Sequence, residues 1–437
     1  MASSWWALAL AVAVFGCSDS PQQVSAPDVS RFRGVVLLCL DTLRADHLGA
    51  YGYPRETSPA IDALAAESVV FERAIAQAAS TLPSHRALFQ SRHVSQETGE
   101  APVLAEVLRE HGFRTAAFTG GGYVAATFGF DRGFERYEED EQGLGAALPR
   151  LEAWLEEIGD APFFIFLHTY EVHLPYDPPA PFDSMFGSEY SGRVEGSETR
   201  SLLRRHKGLD GAAEDPPEPL APADVERIVA LYDGGIRYVD GWVGELMERL
   251  GRLGLSDETL VVLFSDHGEE FGDHGSWLHS TTVYEEVVRV PLIWHEPGAT
   301  PGRVETQVRL ADVSPTLLDV FGIPIPESFR GRSLLPLIAG AEEPHRPAMS
   351  HARRAKSFTQ WPWKLIVDGS RIRLFDLGSD PGERLDLSAR EPGRTDEMAA
   401  SMVGFAESGE GTGTSATGGE AIDPELSERL RSLGYLE

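Results

Sequence analysis

Two apolar, β-type runs of this sequence end in residues that commonly bind metal ions. The run VVLLCL is followed directly by Asp41, and the run TLVVLF is followed by Ser, Asp266 and His267. In a doubly wound sheet the carboxyl ends of parallel strands meet at one edge, so these side chains are expected to lie together. Carboxylate oxygens and an imidazole nitrogen suit a divalent cation, so the two runs predict a metal site.

The motif STLPSHR, between these runs, adds a hydroxyl group. Thr81 stands two residues before Pro83, a residue type that can open a helix, and the amino end of a helix attracts anions. A hydroxyl beside a bound cation can act as a nucleophile near neutral pH, although Thr81 could also cap the helix. Such a site would cut a sulfate or phosphate ester. The predicted ligands of one divalent metal ion are Asp41, Thr81, Asp266 and His267.

Neighbouring polar residues could hold an anion or move a proton. His85 and Arg86 lie about one helical turn past the threonine, and with Ser84 they could bind the oxygens of a tetrahedral anion. His173 and His279 follow the apolar runs, where either could protonate a leaving oxygen. Each histidine taken alone could be structural, and their clustering favours the catalytic role.

The elements that must position these residues alternate between strand and helix. Strands are predicted at 34–40, 114–119, 162–170, 259–264 and 287–295, and helices near 59–67, after Pro83, at 102–111, at 223–251 and after Asp312 or Ser314. This alternation predicts an α/β fold with a large, mostly parallel central sheet covered on both faces. Short alternating strands over 356–385 predict a small antiparallel sheet.

Composition suggests how the chain is divided. The predicted catalytic domain is 34–345, with a Pro-, Gly- and charge-rich insertion at 180–222 that is either a lid or a mobile loop. An α+β subdomain follows at 346–395. A linker at 396–422 and a terminal helix at 423–437 are predicted to close the chain.

The first 17 residues resemble an export signal that ends in a lipoprotein-type Cys17, although they contain no Lys or Arg. An uncleaved anchor or a misassigned start remains the alternative. Residues 18–33 then form a polar tether, which predicts an exported lipoprotein in the periplasm or at the cell surface. Cys39, the second of two cysteines, lies inside an apolar strand and is predicted to be a packing residue.

The net charge of −30 over 437 residues excludes nucleic acid as a partner, since a strongly acidic surface repels phosphates. An anionic substrate must therefore be attracted by a local cation. The expected partner is a small-molecule or glycan ester, and the oligomeric state is left open.

Ordered blocks of the sequence resemble the sulfatase family of the alkaline phosphatase superfamily. They are LDTLRADHLGAYGYPRETSPAIDALAAES, TLPSHRAL, LHTYEVHLPYDPP, FSDHGEEFGDHGSWLHSTTVYEEVVRVPLI and ADVSPTLLDVFGIP. The resemblance implies an alkaline-phosphatase-like sandwich, a small C-terminal domain with its own sheet, and metal-dependent attack on an ester through a covalent intermediate. It matches Asp41, Asp266 and His267 to metal ligands, Thr81 to the nucleophile, and His173 to a substrate-contacting histidine.

The sequence departs from the family pattern at several positions. Thr81 stands where formylglycine enzymes have Cys or Ser, and oxidation of threonine would give a ketone, so formylglycine is not expected. His85 replaces an arginine, and His279 stands where the family often has lysine. His267 replaces a frequent asparagine, which makes Mn²⁺ or Zn²⁺ plausible beside the Ca²⁺ that the family implies. A triple glycine at 120–122 replaces a lysine- and histidine-containing segment.

These features predict a metal-dependent hydrolase of sulfate or phosphate esters with Thr81 as direct nucleophile. Two alternatives stay open. One is a phosphodiesterase or phosphoryl-alcohol transferase of the same superfamily. The other is a non-catalytic, sulfatase-like protein that binds anions at the cell surface.

Overall fold

The computed structural model describes most of the chain between residues 31 and 408. The described residues are 1, 31–94, 101–140, 142–187, 190–207 and 219–408. The predicted signal segment after Met1, most of the tether and the predicted terminal helix lie outside them. None of the helices in the described part has the length and apolar character that a bilayer-spanning helix requires.

The chain alternates strands and helices as predicted, with additional short strands. The strands are β1 (Gly34–Leu40), β2 (Val69–Phe71), β3 (Ala74–Ile75), β4 (Arg114–Thr119), β5 (Arg136–Glu139), β6 (Phe163–Thr169), β7 (Thr259–Phe264), β8 (Glu270–Phe271), β9 (Trp277–Leu278), β10 (Arg289–Val290), β11 (Leu292–His295), β12 (Gly302–Val304), β13 (Val308–Arg309), β14 (Ala348–His351), β15 (Ala355–Gln360), β16 (Trp363–Asp368) and β17 (Arg371–Asp376). The helices are α1 (Pro59–Ala66), α2 (Thr81–Phe89), α3 (Leu104–Glu110), α4 (Leu144–Ile158), α5 (Thr199–His206), α6 (Pro222–Arg252), α7 (Glu285–Val288), α8 (Val313–Val320), α9 (Leu335–Ile338) and α10 (Pro392–Ser408).

Eight strands form the central sheet in the order β12-β2-β11-β7-β1-β6-β4-β5. Every neighbouring pair is parallel except the two that involve β11, which runs antiparallel to β7 and β2. The prediction of a mixed, mostly parallel sheet is therefore confirmed. Its central strands β1, β6 and β7 are buried along their whole length, which explains why they read as continuous apolar runs.

The two faces of the sheet pack against different helices. On β1, Val36, Leu38 and Leu40 join the cluster made with α1, α4 and α6. Val35, Leu37 and Cys39 alternate with them and join the cluster made with α2, α3 and α8. The second set of side chains therefore lies on the face of the sheet that α2 covers.

The prediction of one continuous strand over 287–295 is wrong, because Val287 and Val288 end helix α7 and Pro291 interrupts the remaining residues. Proline has no N–H to donate to a strand ladder. Before it, β10 pairs with β3 in a separate three-stranded sheet, and after it β11 enters the central sheet.

The C-terminal sheet consists of the antiparallel strands β14, β15, β16 and β17, which confirms the predicted small antiparallel sheet. Helix α10 packs on it through Met398, Met402 and Phe405, all buried. The prediction that a linker begins at residue 396 is therefore wrong up to Ser408. The apolar side chains of this helix are buried only by packing on the sheet. The glycine-rich segment that follows the helix made the whole region resemble a linker in the sequence.

Candidate functional site

Asp41 and Asp266 follow the adjacent parallel strands β1 and β7, and both side chains are fully buried. The chain turns sharply after Asp41, because Thr42 adopts a left-handed φ of 60° that disfavours a β-branched residue. The Tyr232 hydroxyl donates a 2.7 Å hydrogen bond to the Thr42 carbonyl and holds this turn. This turn directly follows Asp41, whose charge acts on Asp266.

Thr81 is the first residue of α2 and lies between these strand ends. Its Oγ1 is 3.2 Å from Asp41 Oδ2 and 3.3 Å from His267 Nε2, and the side chain is 3% exposed. His267 Nε2 is 3.4 Å from Asp266 Oδ2. Ser80, not Thr81, occupies the N-cap position, so the hydroxyl is not used for capping. The structure thus brings the four predicted metal ligands together.

The two carboxylates of this cluster are buried and incompletely hydrogen-bonded among the described residues. Within the described residues, Asp41 Oδ1 and both carboxylate oxygens of Asp266 have no hydrogen-bond partner, although they are buried. Burial and the Asp41 charge raise the pKa of Asp266 to about 6. Burial also opposes ionisation of Asp41, but a hydrogen bond from His168 and the nearby histidine charges hold its pKa below the ordinary value. Two buried carboxylates with unsatisfied oxygens, a hydroxyl and an imidazole fit a divalent cation.

His168 belongs to this cluster and was not predicted. It lies in β6, and its Nε2 is 3.2 Å from Asp41 Oδ2. The signal that could have found it is a single imidazole inside the apolar run FFIFLHTY, on a strand buried on both faces. Such a residue needs a polar partner, and Asp41, directly after the neighbouring strand β1, supplies it.

The predicted anion ligands of α2 lie in different places. Ser84 Oγ donates to the Asp266 carbonyl at 2.7 Å, and His85 Nδ1 donates to the Thr81 carbonyl at 2.9 Å. Burial lowers the pKa of His85 to about 3, so its imidazole is neutral. Arg86 points elsewhere: its Nη2 donates to the Phe128 carbonyl, and it lines a separate cavity of about 150 Å³. Positions 81, 84 and 85 share a helix face that position 86 does not.

His173 and His279 lie beside the cluster, next to His267. The His279 ring is 4.5 Å from the His267 ring and 5.1 Å from the His173 ring, between centroids. Both line a cavity of about 630 Å³. Glu269, a further residue that the sequence prediction missed, accepts from His279 Nδ1 at 3.0 Å and from the Tyr176 hydroxyl at 2.8 Å. Burial disfavours its charge, but the His279 interaction outweighs this and lowers the pKa of Glu269.

The triple glycine forms part of the cavity wall. A Cβ at Gly122 would lie 2.8 Å from the Tyr170 hydroxyl, and its φ of 60° also favours glycine. The loop therefore contacts Tyr170 closely and presents no cation to the cavity, which Tyr170 also lines.

The described part of the 180–222 segment packs at the rim of the site. The Lys207 ammonium donates to the His279 carbonyl, and Arg200 donates to the Leu174 carbonyl at 2.5 Å. Arg200 lines the same cavity as His173. This segment therefore contacts the loops that carry the two outer histidines.

Known proteins share these features. The family model "Sulfatase" matches residues 33–323, and the model "N-sulphoglucosamine sulphohydrolase, C-terminal" matches residues 272–397. The choline-sulfatase of Rhizobium meliloti (strain 1021) is 34% identical over 191 residues, which cover 42% of this chain and 37% of that protein. The match thus spans well under half the length of that relative.

Solved structures show the same fold at low identity. The phosphonate monoester hydrolase of Agrobacterium radiobacter superposes with a TM-score of 0.66 and 21% identity, covering 86% of this chain and 94% of that one. A protein solved in complex with its substrate D-glucosamine-2-N,6-O-disulfate superposes with a TM-score of 0.70 and 19% identity, covering 86% and 97%. Since the family model spans more than half of the sequence, the chain belongs to the sulfatase family of the alkaline phosphatase superfamily.

Proposed function

We propose that this protein is a metal-dependent hydrolase of a sulfate or phosphate ester with Thr81 as the direct nucleophile. The observation that carries the proposal is the position of the Thr81 hydroxyl, 3.2 Å from a carboxylate and 3.3 Å from the His267 imidazole, which itself contacts His279 of the neighbouring cavity. The chain has no cysteine or serine at this position to convert to formylglycine.

Asp41, Thr81, Asp266 and His267 would hold one divalent cation, with Mn²⁺ or Zn²⁺ favoured by the histidine. When bound, the cation supplies Lewis-acid stabilisation of a threonine alkoxide and of the ester oxygens. The chain's own groups do the rest. Asp41 Oδ2 accepts the hydrogen bond of the Thr81 hydroxyl and so orients it.

The outer groups act on the substrate. His173 and His279 face the cavity and are placed to hold the anion or to protonate the leaving oxygen. Glu269 fixes the orientation of His279 through the 3.0 Å bond to Nδ1, which leaves Nε2 for the substrate. His85 Nδ1 donates a hydrogen bond to the Thr81 carbonyl and so holds the backbone at the start of α2.

The substrate is proposed to be an anionic ester of a small molecule or glycan. The names of the similar proteins, choline-sulfatase and phosphonate monoester hydrolase, and the disulfated glucosamine bound by the third, include both sulfur and phosphorus centres. The threonine favours a phosphorus centre, since this ligand set resembles that of phosphoryl-alcohol transferases of the same superfamily.

Export as a lipoprotein completes the proposal. Cys17 would carry the anchor and residues 18–33 the tether to a catalytic domain at 34–345, followed by the C-terminal subdomain. Labelling of intact cells with a membrane-impermeant reagent, with a Cys17→Ser control, tests the location.

The test of activity is hydrolysis of nitrophenyl sulfate, phosphate, phosphate diester and phosphonate with added Mn²⁺, Zn²⁺ or Ca²⁺. Turnover that disappears in Thr81→Ala is expected. Turnover by Thr81→Ala equal to that of the wild type would refute the role of Thr81 as nucleophile. Product formation that rises when an acceptor alcohol is supplied would favour a transferase, and no turnover of any ester would favour an anion-binding protein.

A further inference from the structure

Three potential metal ligands lie together directly beneath the Thr81 site. Cys39 in β1 and His168 in β6 are paired residues of neighbouring parallel strands. Cys39 packs in the cluster on the α2 side of the sheet, from which His85 approaches. All three are buried, and the sulfur and one ring nitrogen of each histidine lie within 4.8 Å of one another.

The hydrogen bonds of the two histidines define their tautomers. His85 Nδ1 lies 2.9 Å from the Thr81 carbonyl, and a carbonyl can only accept, so Nδ1 carries the proton. His168 Nε2 lies 3.2 Å from the Asp41 carboxylate and donates to it in the same way. In the neutral form of each ring, the other nitrogen, His85 Nε2 or His168 Nδ1, carries the lone pair.

Neither lone pair has a hydrogen-bond partner among the described residues, although both atoms are buried. A buried polar atom without a hydrogen bond is costly, so two of them in one cluster need a reason. Metal-binding histidines have this arrangement: one nitrogen binds the ion, and the other donates to a carboxylate or a backbone carbonyl.

We infer that Cys39, His85 and His168 form a second metal site, with Zn²⁺ as the expected occupant. One thiolate and two imidazoles suit Zn²⁺ far better than Ca²⁺ or Mn²⁺. A tetrahedral Zn²⁺ separates such ligand atoms by about 3.4–3.6 Å, so they need to close by at most about 1.4 Å. On binding, the sulfur–hydrogen bond breaks, a sulfur–zinc bond forms and the proton leaves to solvent.

The second site would support the first without sharing its ligands. A zinc ion on His168 fixes the imidazole that donates to Asp41, and one on His85 fixes the imidazole that holds the Thr81 backbone. The proposed second site does not depend on the ester chemistry, because its ligands are only Cys39, His85 and His168.

Cobalt spectroscopy tests the site without an activity assay. The full chain with Cys17→Ser retains Cys39 as its only thiol and would be produced in cobalt-supplemented medium, since a fully buried site is best filled during folding. A near-ultraviolet sulfur-to-cobalt charge-transfer band is expected, and its absence would overturn the inference. The band is expected to persist when Asp266→Asn removes a ligand of the first site, and loss there would refute a separate site.

Metal counting gives a second readout. From zinc-supplemented medium, the Cys17→Ser protein is expected to retain two zinc ions per chain, and the Cys17→Ser, Cys39→Ala protein one. A single ion in both proteins would overturn the inference. If the double variant does not fold, the cobalt spectrum of Cys17→Ser alone decides the question.

Discussion

Replacing Asp266 by asparagine is expected to stabilise the metal-free protein and to abolish its stabilisation by Mn²⁺. The carboxylate is fully buried, its oxygens lack hydrogen-bond partners in the described part of the chain, and Asp41 lies beside it. Burial and Asp41 raise the pKa of Asp266 from 3.8 to about 6. Asparagine keeps the shape of the side chain and removes the charge.

The sign of the pH dependence follows from the raised pKa. The folded state binds the proton more tightly than the unfolded state, so the stability of the metal-free protein falls as the pH rises from about 4 to 6 and stays low above 6. The difference between the two pKa values corresponds to about 3 kcal/mol at pH 7.5. Asp266→Asn should recover about 2–3 kcal/mol there, and less than about 1 kcal/mol at pH 4.

Urea unfolding of the metal-stripped proteins measures this difference, with and without Mn²⁺. The wild type should gain about 4 kcal/mol when Mn²⁺ is present at about a thousandfold its Kd, and Asp266→Asn should gain far less. Asp257→Asn, at an exposed position, makes the same change in net charge and should have no such effect. A metal-free Asp266→Asn protein less stable than the wild type at pH 7.5, or an equal gain from Mn²⁺ in both, would refute the reasoning.

Further predictions concern the nucleophile, the C-terminal sheet and a buried carboxylate. Thr81→Val removes the hydroxyl but keeps the shape, so ester turnover should fall at least about 10³-fold, whereas Thr81→Ser should keep it within about 10²-fold; equal rates in the two variants would contradict a nucleophilic role. Lys364 is fully buried, 2.8 Å from Glu285 and 3.0 Å from Glu383. Lys364→Met should therefore cost about 3–5 kcal/mol in urea unfolding, with partial recovery when Glu383→Gln is added, and an unchanged midpoint would count against this pairing. Burial raises the pKa of Asp240 to about 6, so the free energy of unfolding should decrease as the pH rises from about 4 to 6. Asp240→Asn should flatten that slope, and parallel slopes would exclude the effect.

Local chemistry made much of the architecture predictable. Strands such as β1 and β6 are apolar along their length because both of their faces are covered, and that property is visible in the sequence. Asp41 and Asp266 end two such runs, and parallel neighbours bring their carboxyl ends to one edge. The interruption at Pro291 was present in the sequence as well, but a run of apolar residues on both sides concealed it.

Contacts between distant segments could not be read in this way. The partner of His168, Asp41, lies 127 residues away, directly after β1, and the face of α2 that turns Arg86 away from the cluster depends on how the helix packs on the sheet. Likewise, the apolar residues of α10 are buried because they pack on the C-terminal sheet, and this contact is not visible in the sequence of the helix.

The sequence by itself determined the family, the strands that end in metal-type ligands and the threonine at the nucleophile position, because each of these is a local pattern. Only the tertiary structure decided which polar groups lie within bonding distance. It placed Glu269 in hydrogen-bond contact with His279, and it grouped Cys39 with His85 and His168, each of which has one buried ring nitrogen without a hydrogen-bond partner in the described part of the chain. Burial and orientation depend on side chains that are far apart in the chain, and those are set when the sheet and its helices pack.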